Sequence, residues 1–252
     1  VGAAATAITL IGGQAVKAGM QFDSSMSQVA ATMGTTVDQI DELREFAMEM
    51  GSKTAFSATQ AADALNYMAL AGYDAKTSMN MLPNVLNLAA AGGMELASAS
   101  DMITDSQSAL GLSLEDTSAL VDKMAKASSK SNTSVAQLGE AILTVGGTAK
   151  NLAGGTTELS TALGILADNG TKGAEGGTKL RNILLSLGAP TDKAAEELKN
   201  LGVDAYDAAT GKMRPLVDIF GDLNSAMDGM TDKQKTRIIS NIFNKADIKD
   251  VN

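Results

Sequence analysis

Residues 57–72, SATQAADALNYMALAG, contain the complete signal of one amphipathic helix. Ser57 and Gln60 form a capping box, in which each side chain accepts a hydrogen bond from the backbone N–H of the other residue. Behind this start, apolar residues recur at the spacing of one helix face, at Ala61, Leu65, Met68 and Ala69. Gly72 follows, and a glycine ends a helix readily because it adopts the left-handed conformation. The stretch therefore predicts a short helix bounded by a cap and a glycine.

The same signals for the start and the end of a helix recur along the chain. Capping boxes also begin at Thr36, Ser134 and Thr231. Together with glycine stops they predict helices over residues 37–50, 57–72, 74–92, 95–110, 113–128, 134–145, 156–168, 176–187, 194–201, 214–227 and 231–243. Gly51 is expected to end the first of these, and Pro83 to kink or divide the third. The predicted fold class is all-α, a multi-helix array of short amphipathic helices.

The amino-acid composition excludes every kind of site that needs His or Cys. There is no His, Cys or Trp, and aromatic residues make up only 3% of the sequence. Without His and Cys, the chain has no imidazole base, thiolate nucleophile, disulfide or Cys/His zinc site. The net charge is −9, with basic residues scattered and outnumbered by acidic ones, which disfavours specific nucleic-acid binding and anionic membranes.

Two groups of residues were considered as sites. Residues 169–179, NGTKGAEGGTK, superficially suggest a phosphate loop, but they lack the G-x-x-x-x-G-K-[ST] spacing and follow a predicted helix instead of a strand. The favoured interpretation is a loop between helices in which glycines permit close backbone approach. The glutamates Glu42, Glu45, Glu49, Glu196 and Glu197 are interpreted as solvated helix-face residues beside Arg44 and Lys193. We therefore predict no catalytic, cofactor-binding or metal site, no cofactor and no enzyme activity.

Methionine is frequent, with 14 residues. Six of them fall mainly on predicted apolar faces: Met68, Met79, Met81, Met94, Met102 and Met124. Methionine is an adaptable filler of cores, which is the default interpretation, while an adaptable peptide-binding groove is the alternative.

Two segments depart from the helical pattern. The apolar residues 1–13 are too short to span a bilayer, and they are interpreted either as a packed helix or as the end of a longer hydrophobic segment. Residues 203–214 are the least helical part of the chain, where a small hairpin or an irregular arm is an alternative to helix.

The predicted domain organisation is an N-terminal helical segment over residues 1–52, a core domain over 53–246 and the start of a further segment or linker at 247–252. An internal repeat is also considered, over residues 57–130 and 134–202. Ser57 and Gln60 correspond to Ser134 and Gln137 at an offset of 77 residues. If the duplication is real, it implies two similar helical units stacked side by side.

Several stretches in order resemble the phage tail tape measure family. Residues 54–62, TAFSATQAA, are similar to its T-x-F-S-A-x-E-A-A pattern, with Gln60 in place of Glu. Residues 67–73, YMALAGY, and 82–91, LPNVLNLAAA, resemble its next two motifs, and residues 131–135 and 173–180 complete the set. In the family a Gly usually follows the Phe of the last helix, whereas Asn244 follows Phe243 here.

The resemblance implies a structural role in a phage or prophage tail, in tail assembly and in determining tail length. It implies a location inside the tail tube after synthesis in the host cytoplasm. It also implies tail tube, tail-tip or baseplate and assembly chaperone proteins as partners, and a homo-oligomer, with membrane contact only through regions outside this chain. Two alternatives stay open: a helical accessory domain of a tail-associated cell-wall hydrolase, and the tape measure of a phage-derived contractile bacteriocin or injection device.

Overall fold

The computed structural model describes the backbone of residues 2–243 and the side chains of residues 15–243. Within that range the fold is all-α, which confirms the predicted class, and no named strand occurs. The helices are α1 (Gly2–Thr32), α2 (Asp41–Lys53), α3 (Ala58–Leu70), α4 (Ala75–Gly92), α5 (Leu96–Leu110), α6 (Leu114–Lys130), α7 (Val135–Val145), α8 (Gly155–Asp168), α9 (Gly173–Gly188), α10 (Asp192–Leu201), α11 (Leu216–Ala226) and α12 (Asp232–Ile242). Two 3-10 helices, Val37–Ile40 and Gly146–Asn151, precede α2 and follow α7.

The chain forms two compact units, residues 1–104 and 105–252, with the boundary inside α5. None of the described helices is long and apolar enough to cross a membrane. The duplication over residues 57–130 and 134–202 stays a prediction, as do the boundaries at residues 52 and 246. Asn244 and the proposed segment 247–252 lie outside the described residues.

In the first unit, α3 is the helix on which α1, α2 and α4 pack. The C-terminal half of α1 buries Phe22, Met26 and Val29. Polar contacts fix the same pair of helices, because Ser25 donates to Asp63 at 2.7 Å and Thr32 donates to Asn66 at 2.7 Å. The α1 residues 15–21 are all exposed, so the buried side chains described for this helix begin at Phe22.

In the second unit, α7 contacts α6, α8 and α9, and α10 packs on α12. The crossing of α7 and α9 is unusually close because Gly177 lies against the backbone of α7. A Cβ atom at this position would stand 2.4 Å from the carbonyl oxygen of Ala141 and 2.7 Å from the Cβ of Thr144. The expected close approach of backbones in the glycine-rich stretch therefore occurs, but inside α9 and not in the loop.

The predicted caps are confirmed. The Ser57 Oγ accepts from the backbone N–H of Gln60 at 3.2 Å, while the Gln60 side chain accepts from the N–H of Ser57 at 2.9 Å. Ser134 and Gln137 repeat this arrangement, and capping boxes also form at Thr36 and Thr231. Gly93 and Gly202 adopt the left-handed conformation at the ends of α4 and α10, as expected.

Several predicted helix bounds differ from the structure. Helix α2 continues through Gly51 to Lys53, and Gly51 instead admits the start of α3, since a Cβ there would lie 2.4 Å from the Ala58 nitrogen. Helix α4 runs through Pro83 without a break, so the proline does not divide it, and Leu82, Val85 and Leu86 beside it are buried. Helix α9 begins at Gly173, one turn before residue 176. Pro215 is the N-cap of α11, so this helix starts after residue 214.

The segment between α10 and α11 forms the small hairpin that was one of the two alternatives to helix. Tyr206 and Met213 make an isolated antiparallel bridge. The Arg214 N–H donates to the Ala205 carbonyl and the Asp207 N–H donates to the Lys212 carbonyl, both at 2.9 Å. Gly211, with a φ of 66°, makes the turn possible. The hairpin leads the chain directly into α11.

The close crossing at Gly177 gives a testable prediction. Gly177→Ala forces the backbones of α7 and α9 apart, so the free energy of unfolding should fall by about 1–3 kcal/mol. The matched control is Gly221→Ala in α11, where nothing lies within 4 Å of the added Cβ. That substitution should raise the free energy of unfolding by about 0.5–1 kcal/mol because helical glycine is entropically unfavourable. Urea unfolding followed by circular dichroism measures both, and equal effects would contradict the crossing.

Candidate functional site

One concave feature of the second unit is an apolar groove of about 870 Å³. Its walls are α8, α9, α11 and α12, and we call it the apolar groove throughout. The lining side chains are mainly aliphatic and aromatic: Ala162, Ile165, Leu166, Leu180, Ile183, Leu216, Val217, Phe220, Leu223, Met227, Ile238, Ile239, Ile242 and Phe243. This volume lies in the range of sites that bind ligands or side chains of a partner.

The floor of the groove follows from ordinary helix periodicity. Leu216, Leu223 and Met227 recur along one face of α11, and Ile238, Ile239 and Ile242 along one face of α12. All six of these side chains are buried. Residues at these spacings would fill a core if the helices met directly. Here α11 faces α8 and α9 across the groove, so the same residues line a cavity.

The mouth of the groove exposes apolar side chains. Ile165 on α8 is 56% exposed and Val217 on α11 is 75% exposed. Because they are so exposed, substituting them should change the surface of the groove without opening the core. Large exposed aliphatic side chains beside a cavity mark a surface suited to contact with another molecule.

Glu158 fastens α11 to α8 at one end of the groove. One carboxylate oxygen, Oε1, accepts a hydrogen bond from the Leu216 N–H in the first turn of α11. The other, Oε2, accepts from the Gly154 N–H at 2.8 Å. The N–H groups of a first helical turn have no partner within their own helix, and a carboxylate there is stabilised by the helix dipole. Glu158 therefore has a positioning role and both of its oxygens are occupied.

Two further contacts hold α11 in place. Phe220 and Phe243 stack with ring centroids 6.1 Å apart. Arg214 donates to the Asp222 carboxylate at 2.8 Å and to the Asp204 carbonyl at 2.9 Å. The hydrogen bond to Asp222, followed by charge attraction to neighbouring aspartates, raises the pKa of Arg214, which stays protonated.

The hairpin that precedes α11 has its own polar cluster. The Asp207 carboxylate accepts from the Thr210 hydroxyl at 2.8 Å and from the Thr210 and Ala209 N–H groups. These hydrogen bonds, those from Thr210 above all, hold the pKa of Asp207 below its usual value. The cluster shapes a turn, and nothing about it indicates chemistry.

The described lining of the groove contains one charged side chain, Lys235, with neither an ion pair nor a side-chain hydrogen bond to a described residue. Glu158 and Lys235 are the ionisable residues of the lining. Glu158 is satisfied by backbone N–H groups, whereas half-buried Lys235 makes no salt bridge or side-chain hydrogen bond to a described residue. A negatively charged group bound beside Lys235 would therefore find an ion-pair partner.

The glycine-rich residues 169–179 connect two helices. Gly170 has a φ of 88° in the turn after α8, and Gly173 begins α9. The Lys179 ammonium lies 3.4 Å from the Thr171 hydroxyl and 3.6 Å from Glu175, with its side chain 12% exposed. The segment follows a helix and its lysine has local partners, which agrees with the loop interpretation over the phosphate-binding one.

The acidic residues that were considered do not converge. Glu42, Glu45, Glu49 and Glu196 are exposed, and Glu197 accepts a hydrogen bond from Asn241 at 2.9 Å. Arg44 does not pair with the glutamates of α2, because it reaches Asp23 on α1 and stacks over the Phe22 ring at 4.9 Å. Over the described residues, no three acidic side chains come together as a metal site.

The six methionines assigned to apolar faces from the sequence do not line the groove. Met68, Met81 and Met124 are core residues, and Met79, Met94 and Met102 are half-buried. Met227 is the one methionine of the groove lining, and sequence analysis did not single it out. The available signal was the pair of apolar stripes in the last two helices.

The chain is similar to proteins of phage tails. A family model described as phage-related minor tail protein matches residues 44–244. The tape measure protein of Pneumococcus phage Dp-1 is 32% identical over 242 residues, which are 94% of this chain and 21% of that protein. The probable tape measure protein of Escherichia phage P2 is 29% identical over 234 residues, which are 90% of this chain and 29% of that protein. The chain therefore spans less than a third of the length of these relatives, and no solved structure matches it.

The hydrogen bonds from Leu216 and Gly154 to the Glu158 carboxylate, which we call the Glu158 clamp, give a second prediction. Glu158→Gln replaces a charged acceptor of two backbone N–H groups, and should lower the free energy of unfolding by about 1–3 kcal/mol. The control is Glu196→Gln, an exposed residue of α10 without a described hydrogen bond, which should change it by less than about 0.5 kcal/mol. Chemical denaturation measures both, and an unchanged Glu158→Gln protein would show that the clamp is not formed.

Proposed function

The chain belongs to the phage-related minor tail protein family, and we propose that it is the folded helical part of a tail tape measure protein, acting in tail assembly and in tail length determination. The observation that carries the proposal is the family match over residues 44–244, which spans most of both compact units. The role of the family is structural, and its place is the virion tail.

A length-determining role requires a long structure, and the described helices of this chain are short. An α-helix rises about 1.5 Å per residue, so even the longest helix here, α1 with 31 residues, extends only about 46 Å. The matched relatives are several times longer than the region they share with this chain. We infer that residues outside the shared region set the length and that the helical array serves as a docking element in assembly.

The proposed partners are the tail tube, the tail-tip or baseplate proteins and the tail assembly chaperones, with the protein inside the tube as a homo-oligomer. The apolar groove, with the exposed side chains of Ile165 and Val217 at its mouth, supports a docking role. The proposal includes no enzymatic activity and no specific nucleic-acid ligand. The lack of His and Cys and the scattered positions of the glutamates support that part of it.

Two other assignments compete with this one. A helical accessory domain of a tail-associated cell-wall hydrolase would share the fold, and so would the tape measure of a phage-derived contractile bacteriocin or injection device. The first is distinguished by activity on cell walls. The second shares the proposed mechanism, and the particle that carries the protein distinguishes it.

Tail length provides the test of the proposed role. An in-frame deletion of helical residues outside the shared region, made in the complete protein of the phage, should shorten the tail by about 1.5 Å per deleted residue. Electron microscopy of assembled tails measures the length. The control is Gly221→Ala, which should leave tail length unchanged because it alters no residue count. Tails of unchanged length after the deletion would remove the length-determining role.

The absence of catalysis has its own test. The purified chain, incubated with peptidoglycan over a range from acid to alkaline pH, should release no soluble fragments. Hydrolysis requires a general acid and a base or nucleophile in one pocket, and here the glutamates are exposed or held by other residues. Release of fragments that is lost on changing a single carboxylate would favour the hydrolase assignment.

A further inference from the structure

The apolar groove has the form of a receptor for one helix. An amphipathic helix presents large apolar side chains at i, i+3, i+4 and i+7, and inserts them as anchors into a hydrophobic groove. The volume of about 870 Å³ provides space for several such anchors. Ile165 and Val217 flank the opening from α8 and α11, and a helix placed between them would cover both.

The charge of the groove selects among possible helices. Lys235 is half-buried in the lining and has no ion-pair partner among the described residues, while Glu158 is fully engaged with backbone donors. A cation within an apolar surface favours a ligand that brings a carboxylate and repels one that brings a second cation.

We propose that the apolar groove is the docking site for one amphipathic helix of another tail protein, with apolar anchors facing the groove and an acidic residue paired with Lys235. The identity of the partner as a tail protein rests on the proposed function. The helix-in-groove chemistry rests on the groove alone.

A second copy of this chain is a poorer occupant. Among the described residues, one exposed apolar helix surface that a second copy offers is the stretch 15–21 of α1, with Val16 at 65% and Met20 at 68% exposure. Lys17 is the charged residue of this stretch, so docking it would bring a cation towards Lys235. A small apolar molecule is also a poorer occupant, because it would leave Ile165 and Val217 uncovered.

Synthetic helices provide defined probes. Three fluorescent peptides share one face of Leu residues on an Ala/Gln helix and differ only in carrying Glu, Gln or Lys at the edge of that face. Fluorescence anisotropy against the full chain should show that the Glu peptide binds about fivefold more tightly than the Lys peptide. Lys235→Gln should abolish this difference, and Lys235→Glu should reverse it.

Rim substitutions locate the binding. Ile165→Asp and Val217→Asp lie at exposed positions, so circular dichroism should show an unchanged fold, and both should weaken all three peptides at least about tenfold. The matched control is Leu143→Asp on α7, an exposed apolar residue outside the groove lining, which should leave binding unchanged.

Every other result overturns the inference. Peptide binding that does not change when Lys235, Ile165 or Val217 is substituted would place the contact elsewhere on the chain. Self-association that Val217→Asp abolishes would make a second copy the occupant, and binding of dodecanoate without peptide binding would make it a small amphiphile. No peptide binding, together with a lower melting temperature of Val217→Asp, would show that the chain itself closes the groove. These results leave the tail-length experiment unaffected, so the two proposals fail separately.

Discussion

The packing of the second unit depends on the backbone contact between α7 and α9 at Gly177. Only a hydrogen atom fits between the α-carbon of Gly177 and the Ala141 carbonyl, because a Cβ would approach that oxygen to 2.4 Å. Leu180 and Ile183 lie one and nearly two turns further along α9 and line the apolar groove. The position of this wall therefore depends on a glycine less than two turns earlier in the same helix. A helix held at such a short distance has little freedom to shift along its partner.

The opposite wall is held by a different kind of interaction. Helix α11 faces α8 and α9 across the groove, so apolar packing alone does not fix it. The Glu158 carboxylate binds its first turn, the Arg214–Asp222 pair ties it to the hairpin, and Phe220 stacks on Phe243. Near these contacts, Val217 leaves an exposed apolar surface beside the groove, while Ile219 and Leu223 of the same helix are buried. Such a surface is a disadvantage in isolation, and it becomes useful where a partner covers it.

Local signals in the sequence were enough to predict most of the helices. They predicted almost nothing about the groove. The capping boxes at Ser57 and Ser134 and the left-handed glycines at 93 and 202 use interactions within one turn, so sequence spacing reveals them. Gly51 misled the prediction, because a glycine needed for a close tertiary contact looks the same in sequence as one that ends a helix. The stripes of α11 and α12 were visible too, but periodicity alone does not distinguish a filled core from a cavity wall.

The sequence by itself determined the all-α class, the positions of the caps and the resemblance to phage tail tape measure proteins. It also excluded imidazole and thiol chemistry, since the residues are missing. The tertiary structure alone decided that Glu158 reaches a helix 58 residues further along the chain, and that Lys235 faces an apolar groove without an ion pair among the described residues. The physical reason is the distance along the sequence over which each feature forms. Caps and apolar stripes act over three or four residues, whereas the groove is lined by side chains of four separate helices.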